Sequence, residues 1–271
     1  MKKEKTCKIV FSDIDGTLLT SDGQITEGTK EMILNLEKKG IPFILTSARS
    51  PEGVRVIKRM LGNHAPIIAF CGGLILDNDG NEIYSKMIPL KRALELKAML
   101  DKDFPAVACN TFGGEKWIVD DRDDWREQRE EKIVGFPAEI GSIKDTFETE
   151  GGIHKFLLMG APDVMTKLAA VLARDFPDLQ SAASNPEYLE ITAAGVEKSE
   201  GLKTLCGKLG ISPEEAAAFG DGESDLSMMR AAGFGAAMGN APENVRRRAP
   251  MVIGKNDEEG LLKRLKEIFK D

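Results

Sequence analysis

The chain has 271 residues, 42% hydrophobic and 30% charged, with a formal net charge of -7. That length buries a sizeable core without disulfides or a structural metal. The acidic balance makes nucleic acid and anionic membrane poor default partners, and no apolar run approaches bilayer-spanning length.

In chain order, residues 7–11 form a short apolar run that predicts a buried strand. Residues 26–39 carry Ile33, Leu34 and Leu36 at helical spacing. Residues 41–45 are strand-like, 51–61 predict a helix opening on Pro51, and 67–70 predict a third strand. Such alternation predicts a parallel sheet flanked by helices. Residues 74–86 read as a hairpin turning at Asn78-Asp79-Gly80. Helices are then expected over 91–102 and 163–174, with strands over 106–109, 116–119, 153–159 and 188–191. The densely charged stretch 120–129 is expected to be exposed. The last third returns to the first pattern: a helix over 197–209 ended by Gly210, a strand over 216–219, a helix over 224–232, a strand over 235–238 and an amphipathic helix over 257–269. The expected fold class is α/β: a Rossmann-like parallel-sheet core from residues 1–83 and 190–271, with an inserted α+β domain over 84–189.

Two acid-glycine turns follow predicted strands. The first is Asp13-Ile14-Asp15-Gly16-Thr17. Ligands in open α/β sheets bind beyond the carboxyl ends of strands, where two carboxylates beside a glycine suit a hard cation. The plainer reading is a polar turn. The second is Gly220-Asp221-Gly222-Glu223-Ser224-Asp225, which taken alone reads as a turn with a helix cap. Two such turns after two buried strands are harder to assign to chance. At a third strand end, the Ser47 hydroxyl in Thr46-Ser47-Ala48-Arg49 can donate to a phosphoryl oxygen, or Ser47 or Ser50 can simply cap the next helix. Lys198, near a helix start, is of interest because crowded carboxylates and a phosphate both need positive charge.

Other features carry less. Arg246-Arg247-Arg248 reads as the solvated end of a helix. His64 and His154 have no carboxylate or cysteine at ligand spacing. Cys7, Cys71, Cys109 and Cys206 lack metal-site spacing and read as reduced thiols of a cytoplasmic protein. The basic start, residues 1–5, precedes an apolar stretch too short for a signal core.

Taken together and in this order, these segments resemble the haloacid dehalogenase-like hydrolase superfamily, and within it the Cof-type metabolite phosphatases. The family's DxDGT motif stands at residues 13–17, its hydroxyl at Ser47 with an arginine at Arg49, its lysine at Lys198, and its GDGxND motif at residues 220–225. Met238-Gly239-Asn240-Ala241 and Asn256-Asp257-Glu258-Glu259-Gly260 look like that subfamily too. The resemblance implies a phosphatase that uses Mg2+ and an aspartyl-phosphate to hydrolyse a small phosphorylated metabolite. By matched position, Asp13 is the nucleophile and a metal ligand. Asp15 is the proton donor and acceptor, with its carbonyl on the metal. Ser47, Arg49, Lys198 and Asn240 contact the substrate. Asp221 completes the metal site, and Asp225 joins it directly or through water, or orients Lys198. The inserted domain is then a cap that selects the leaving group. Two departures stand out: Ser224 replaces the motif's usual Asn, and Cys71-Gly72-Gly73 stands where Asn-Gly is common. A phosphomutase or phosphotransferase on the same scaffold, or a non-catalytic sensor, are the competing readings. Asp15 argues against the sensor, which needs no acid two residues after a nucleophile.

Overall fold

A computed structural model describes residues 6–270, so the basic start expected at residues 1–5 lies outside the described residues. Two compact units divide the chain: Met1–Tyr84 with Glu197–Asp271, and Ser85–Val196.

The chain enters the first unit with β1 (Ile9–Ser12), all four residues buried. A strand covered on both faces carries no polar alternation, and this one reads Ile-Val-Phe-Ser. α1 (Glu27–Lys38) opens at Thr26, whose hydroxyl accepts from the Thr29 amide at 3.3 Å, and buries Ile33 and Leu36. β2 (Phe43–Thr46) leads to α2 (Pro51–Leu61), which has Ser50 as its cap, Pro51 in its first turn and left-handed Gly62 at its end. β3 (Ile67–Ala69), β4 (Leu74–Leu76) and β5 (Glu82–Ser85) follow. The turn from β4 to β5 is tied by Asp77, whose Oδ1 accepts from the amides of Asp79 at 2.9 Å and Asn81 at 2.8 Å. That is the hairpin expected at residues 78–80.

The second unit holds β6 (Ile88–Pro89), α3 (Leu90–Asp103), β7 (Ala108–Gly113), β8 (Lys116–Val119), α4 (Trp125–Val134), β9 (Glu139–Ile140), α5 (Ile143–Phe147), β10 (Gly152–Ile153), β11 (Lys155–Met159), α6 (Pro162–Asp175), β12 (Leu179–Asn185) and β13 (Tyr188–Ala193). Its main sheet runs β12-β13-β11-β7-β8-β9, antiparallel except for the β8–β9 pair, and β6 pairs with β10. The unit extends past residue 189 because β13 continues to Ala193.

Two further departures from the sequence reading have a physical reason in this unit. Strand β7 reaches Gly113 rather than stopping at Cys109, because Asn110 is buried and satisfied: its Oδ1 accepts from Trp117 Nε1 at 2.8 Å and its Nδ2 donates to the Leu157 carbonyl at 3.3 Å. The stretch 120–129 is not uniformly exposed. Asp124 caps α4, accepting from the Arg126 amide at 2.8 Å, and the helix turns Glu127 and Glu130 into the interior, where Glu130 takes the Tyr188 hydroxyl. Burial pushes the Glu127 carboxyl up to about 8.

The chain returns to the first unit as α7 (Lys198–Leu209), ended at left-handed Gly210, then β14 (Ala216–Gly220), α8 (Leu226–Ala231), β15 (Phe234–Ala237), α9 (Glu243–Arg246) and α10 (Gly260–Ile268). The sheet order is β15-β14-β1-β2-β3-β4-β5, parallel from β15 to β3 and antiparallel at β4. Phe11, Ile44 and Ile68 on the sheet pack with Leu202 and Leu205 of α7. Each such side chain contributes roughly 1.5–3 kcal/mol on burial, so the start of α7 is anchored to the strand ends it serves. Among the described residues, no helix is long and apolar enough to cross a membrane, and none of the four cysteines is in a disulfide. Arg247 and Arg248 pair with Glu243 and Glu223 at the exposed end of α9, the solvated reading of that cluster.

Candidate active site

β1 and β14 are neighbours whose onward connections run to opposite sides, β1 to β2 and β14 to β15, so a crevice opens at their carboxyl ends. Asp13 is the first residue past β1, and its amide donates to the Phe219 carbonyl at 2.9 Å. The chain then makes one wide turn, closed by Leu19 N–H on the Ile14 carbonyl at 2.9 Å. Inside it Asp15 is extended and Gly16 has φ 72°. The glycine is required for a second reason: a Cβ there would overlap the Asp221 carboxylate, 2.8 Å from its Cγ. The first acid-glycine turn can therefore lie directly on the second.

Three carboxylates meet at this point. Asp13, Asp221 and Asp225 each place an oxygen within 4.8 Å of the others. Lys198, buried at the first position of α7, donates to Asp13 Oδ1 at 2.6 Å and to Asp225 Oδ1 at 2.5 Å. Burial alone would lower the Lys198 ammonium, yet the two carboxylates hold it well above its usual value. Burial, then the charge of Asp225, pushes the Asp13 carboxyl up to about 8. The same two causes push Asp221 up to about 6. When all three acids are ionised, one ammonium leaves two negative charges in a largely buried, all-oxygen cluster, which suits a hard divalent cation of the magnesium class.

Asp225 is committed elsewhere. Its Oδ1 holds Lys198, and its Oδ2 accepts from the amides of Asp221 at 3.0 Å and Gly222 at 2.8 Å. It orients the lysine and shapes the second turn, which leaves Asp13 and Asp221 as the side chains disposed to hold an ion.

The other expected residues are distributed as follows. Ser47 is buried just past β2, and its Oγ accepts from the Arg49 amide at 3.2 Å. Arg49 clamps Asp15, with Nε to Oδ2 at 2.9 Å and Nη2 to Oδ1 at 2.6 Å. Asp15 thus stands outside the three-carboxylate cluster. Asn240 is engaged with protein backbone: its Nδ2 donates to the Gly16 carbonyl at 2.8 Å and its Oδ1 accepts from the Asn256 amide at 3.1 Å. Ser224 is exposed. Three supports were not anticipated. Thr17 Oγ1 donates to Asp221 Oδ1 at 3.3 Å, Asn256 Nδ2 to the Leu19 carbonyl at 2.9 Å, and the Ser21 amide to Asp257 Oδ1 at 2.7 Å. The segments 238–241 and 256–260 therefore brace the turn after β1. Their motif character was visible in the sequence, but what they touch depends on tertiary folding.

Comparison with known proteins identifies the family. The haloacid dehalogenase-like hydrolase family matches residues 10–265. A protein of Haemophilus influenzae is 32% identical over 271 residues, covering 97% of this chain and 98% of its own. Phosphatase YwpJ of Bacillus subtilis is 29% identical over 285 residues, covering 97% and 100%. The crystal structure of a haloacid dehalogenase-like hydrolase from Bacteroides thetaiotaomicron superposes with a TM-score of 0.86 at 26% identity, covering 97% and 100%.

Proposed function

Starting from the fact that this chain belongs to the haloacid dehalogenase-like hydrolases, as a phosphatase of the Cof type, we propose that it hydrolyses a small phosphorylated metabolite through a phosphoenzyme on Asp13. The observation that carries this reading is the buried cluster itself: Asp13 at the carboxyl end of β1, gripped by Lys198, with two unbalanced negative charges around it. A carboxylate so placed serves as nucleophile, and phosphoryl transfer depends mostly on positioning and charge neutralisation.

The step balances without a redox partner. An Asp13 oxygen bonds to phosphorus as the ester P–O bond breaks, and Asp15 gives its proton to the leaving oxygen. Asp15 then takes a proton from water as the water oxygen attacks phosphorus, and the Asp13–phosphoryl bond breaks to release inorganic phosphate. The Ser47 hydroxyl and Lys198 ammonium hold phosphoryl oxygens. Arg49 clamps Asp15 at 2.6 Å and 2.9 Å, and an incoming phosphoryl group offers that guanidinium another anion, which frees Asp15 to take up a proton and pass it to the leaving oxygen. Magnesium, held by the carboxylates of Asp13 and Asp221 and the carbonyl of Asp15, would supply positive charge to the phosphoryl oxygens. Asn240 is given the role of bracing Gly16 rather than touching substrate, and selection among metabolites is assigned to the second unit.

A screen of phosphorylated sugars, polyol phosphates and nucleotides should reveal magnesium-dependent release of inorganic phosphate, abolished by excess chelator. Activity surviving full chelation sinks the metal assignment, and transfer to a second sugar without phosphate release sinks the hydrolase assignment. Stability supplies an independent test. Folding raises Asp13 from 3.8 to about 8 and Asp221 from 3.8 to about 6. Their contribution is therefore fully present below pH ~4 and is lost as pH rises towards 8 in metal-free protein. A divalent cation binds the deprotonated cluster and offsets that loss. Magnesium should accordingly raise Tm more at pH 8 than at pH 5, and an equal gain at both contradicts the assignment.

A further inference from the structure

After β3 the chain turns through three consecutive left-handed residues: Phe70 at φ 49°, Cys71 at φ 55° and Gly72 at φ 102°. Two of the three are not glycine, and each such residue stores local strain that surrounding contacts must offset. The contacts that hold this turn lead to the proposed phosphate-binding groups. Phe70 N–H donates to the Arg49 carbonyl at 3.0 Å, and Cys71 N–H donates to the Ser47 carbonyl at 2.8 Å. The Ser47 amide in turn donates to the Ile68 carbonyl at 2.9 Å, so Ser47 is pinned from both sides by the strand and turn beside it.

Gly72 meets the other group. The Glu197 carbonyl opens α7, accepting from the amides of Glu200 at 3.0 Å and Gly201 at 3.3 Å. A methyl on Gly72 would overlap that carbonyl oxygen and stand 3.1 Å from its carbon and 3.4 Å from the Gly201 nitrogen. Across the contact, a methyl on Gly201 would lie 3.3 Å from Gly72 Cα and 3.0 Å from Ile68 Cγ2. The turn is thus seated, backbone on backbone, against the first turn of the helix whose first residue is Lys198.

We infer that the left-handed turn 70–72 is a positioning device that fixes Lys198 against Asp13 and Asp225 while pinning Ser47, with Gly72 as its critical contact. This rests on the catalytic roles proposed above for Lys198 and Ser47. Gly72 touches no reacting atom. It acts by letting α7 begin close enough for the buried ammonium to sit 2.6 Å from Asp13 Oδ1. The strain at Phe70 and Cys71 accompanies a turn tight enough to reach both Ser47 and α7.

The test is a double-mutant cycle on the full chain, saturated with magnesium and assayed with nitrophenyl phosphate. Gly72→Ala should lower kcat about 10²-fold, the scale of an ångström-level misplacement, with KM changed less than about threefold. In a Lys198→Met background the same substitution should cost less than about threefold, since the group it positions is gone. A general packing defect would cost the same in both backgrounds. If Gly72→Ala does not fold, Gly201→Ala presses on the same contact from the helix side, where the Ile68 side chain can give way. It should show the same coupling, with a loss of about tenfold that Lys198→Met removes. Full activity in folded Gly72→Ala, or losses that add in the double variants, overturns the inference. Wild-type activity in Lys198→Met alone points instead to failure of the catalytic assignment, a separate result.

Discussion

Asp13→Asn should be inert, with turnover down on the order of 10⁴-fold or more, the scale seen when a covalent nucleophile is removed. The substitution keeps the shape of the side chain but replaces the anionic carboxylate that attacks phosphorus with a neutral, weakly nucleophilic amide. It also removes one of three crowded acids, whose burial and whose neighbour Asp225 raise the carboxyl to about 8. Lys198 keeps Asp225 as partner at 2.5 Å. The variant should therefore fold, and in metal-free protein near pH 8 it should be no less stable than the parent, because it no longer carries the repulsion that grows with pH. Loss of activity with folding intact is the expected pair. A folded Asp13→Asn protein that turns over at more than about a tenth of the parental rate moves the nucleophile elsewhere.

Lys198→Met should cost about 2–4 kcal/mol of transition-state stabilisation, or roughly 30- to 1,000-fold in kcat/KM. Methionine fills the buried space of the lysine chain but brings no donor to the phosphoryl oxygens and leaves Asp13, Asp221 and Asp225 without their shared cation. Removing one member of a buried charged set also destabilises, so metal-free Tm should fall and magnesium should recover part of it. Lys198→Arg should rescue only partly, because a planar fork does not replace a compact ammonium between two carboxylates. Lys203 offers no substitute: it is half-exposed and pairs with Glu200 at 2.7 Å. Kinetics near the parental values in Lys198→Met, with KM unchanged, contradict the assigned role.

Much of this centre was readable in the chain before folding. Asp13, Ser47 and Asp221 each follow a short apolar run, and a parallel strand buried on both faces leaves its first polar residue at the ligand end. Lys198 was singled out because crowded carboxylates and a phosphate need positive charge, and it stands at the start of the helix that Gly210 ends. What escaped depends on pairing across the fold. Asn240 resembled a substrate ligand, and its bond to the Gly16 carbonyl, 224 positions away in sequence, was not legible there. The hold of Asp225 on the amides of Asp221 and Gly222, and the clamp of Arg49 on Asp15, are tertiary facts of the same kind. In the second unit, α4 was hidden because Glu127 and Glu130 read as solvated charges, whereas the helix turns both inward. β12 was missed because its sequence, Leu-Gln-Ser-Ala-Ala-Ser-Asn, has no apolar alternation, and it is held by pairing with β13. Gly72 looked like a departure from a motif, and its meaning appears only against the Glu197 carbonyl.

The most direct test of the covalent reading uses Asp15→Asn. Asp15 is clamped by Arg49 and lies outside the three-carboxylate cluster, so its replacement leaves Asp13, Asp221 and Lys198 in place. With nitrophenolate as leaving group the first step needs little proton donation, whereas the second still needs a base for water. Rapid quench of Asp15→Asn with nitrophenyl phosphate should give a burst of about one nitrophenol per enzyme followed by slow turnover, and mass spectrometry should place a single phosphate on the peptide containing Asp13. Steady turnover with no burst, or a phosphate on any other residue, contradicts the mechanism.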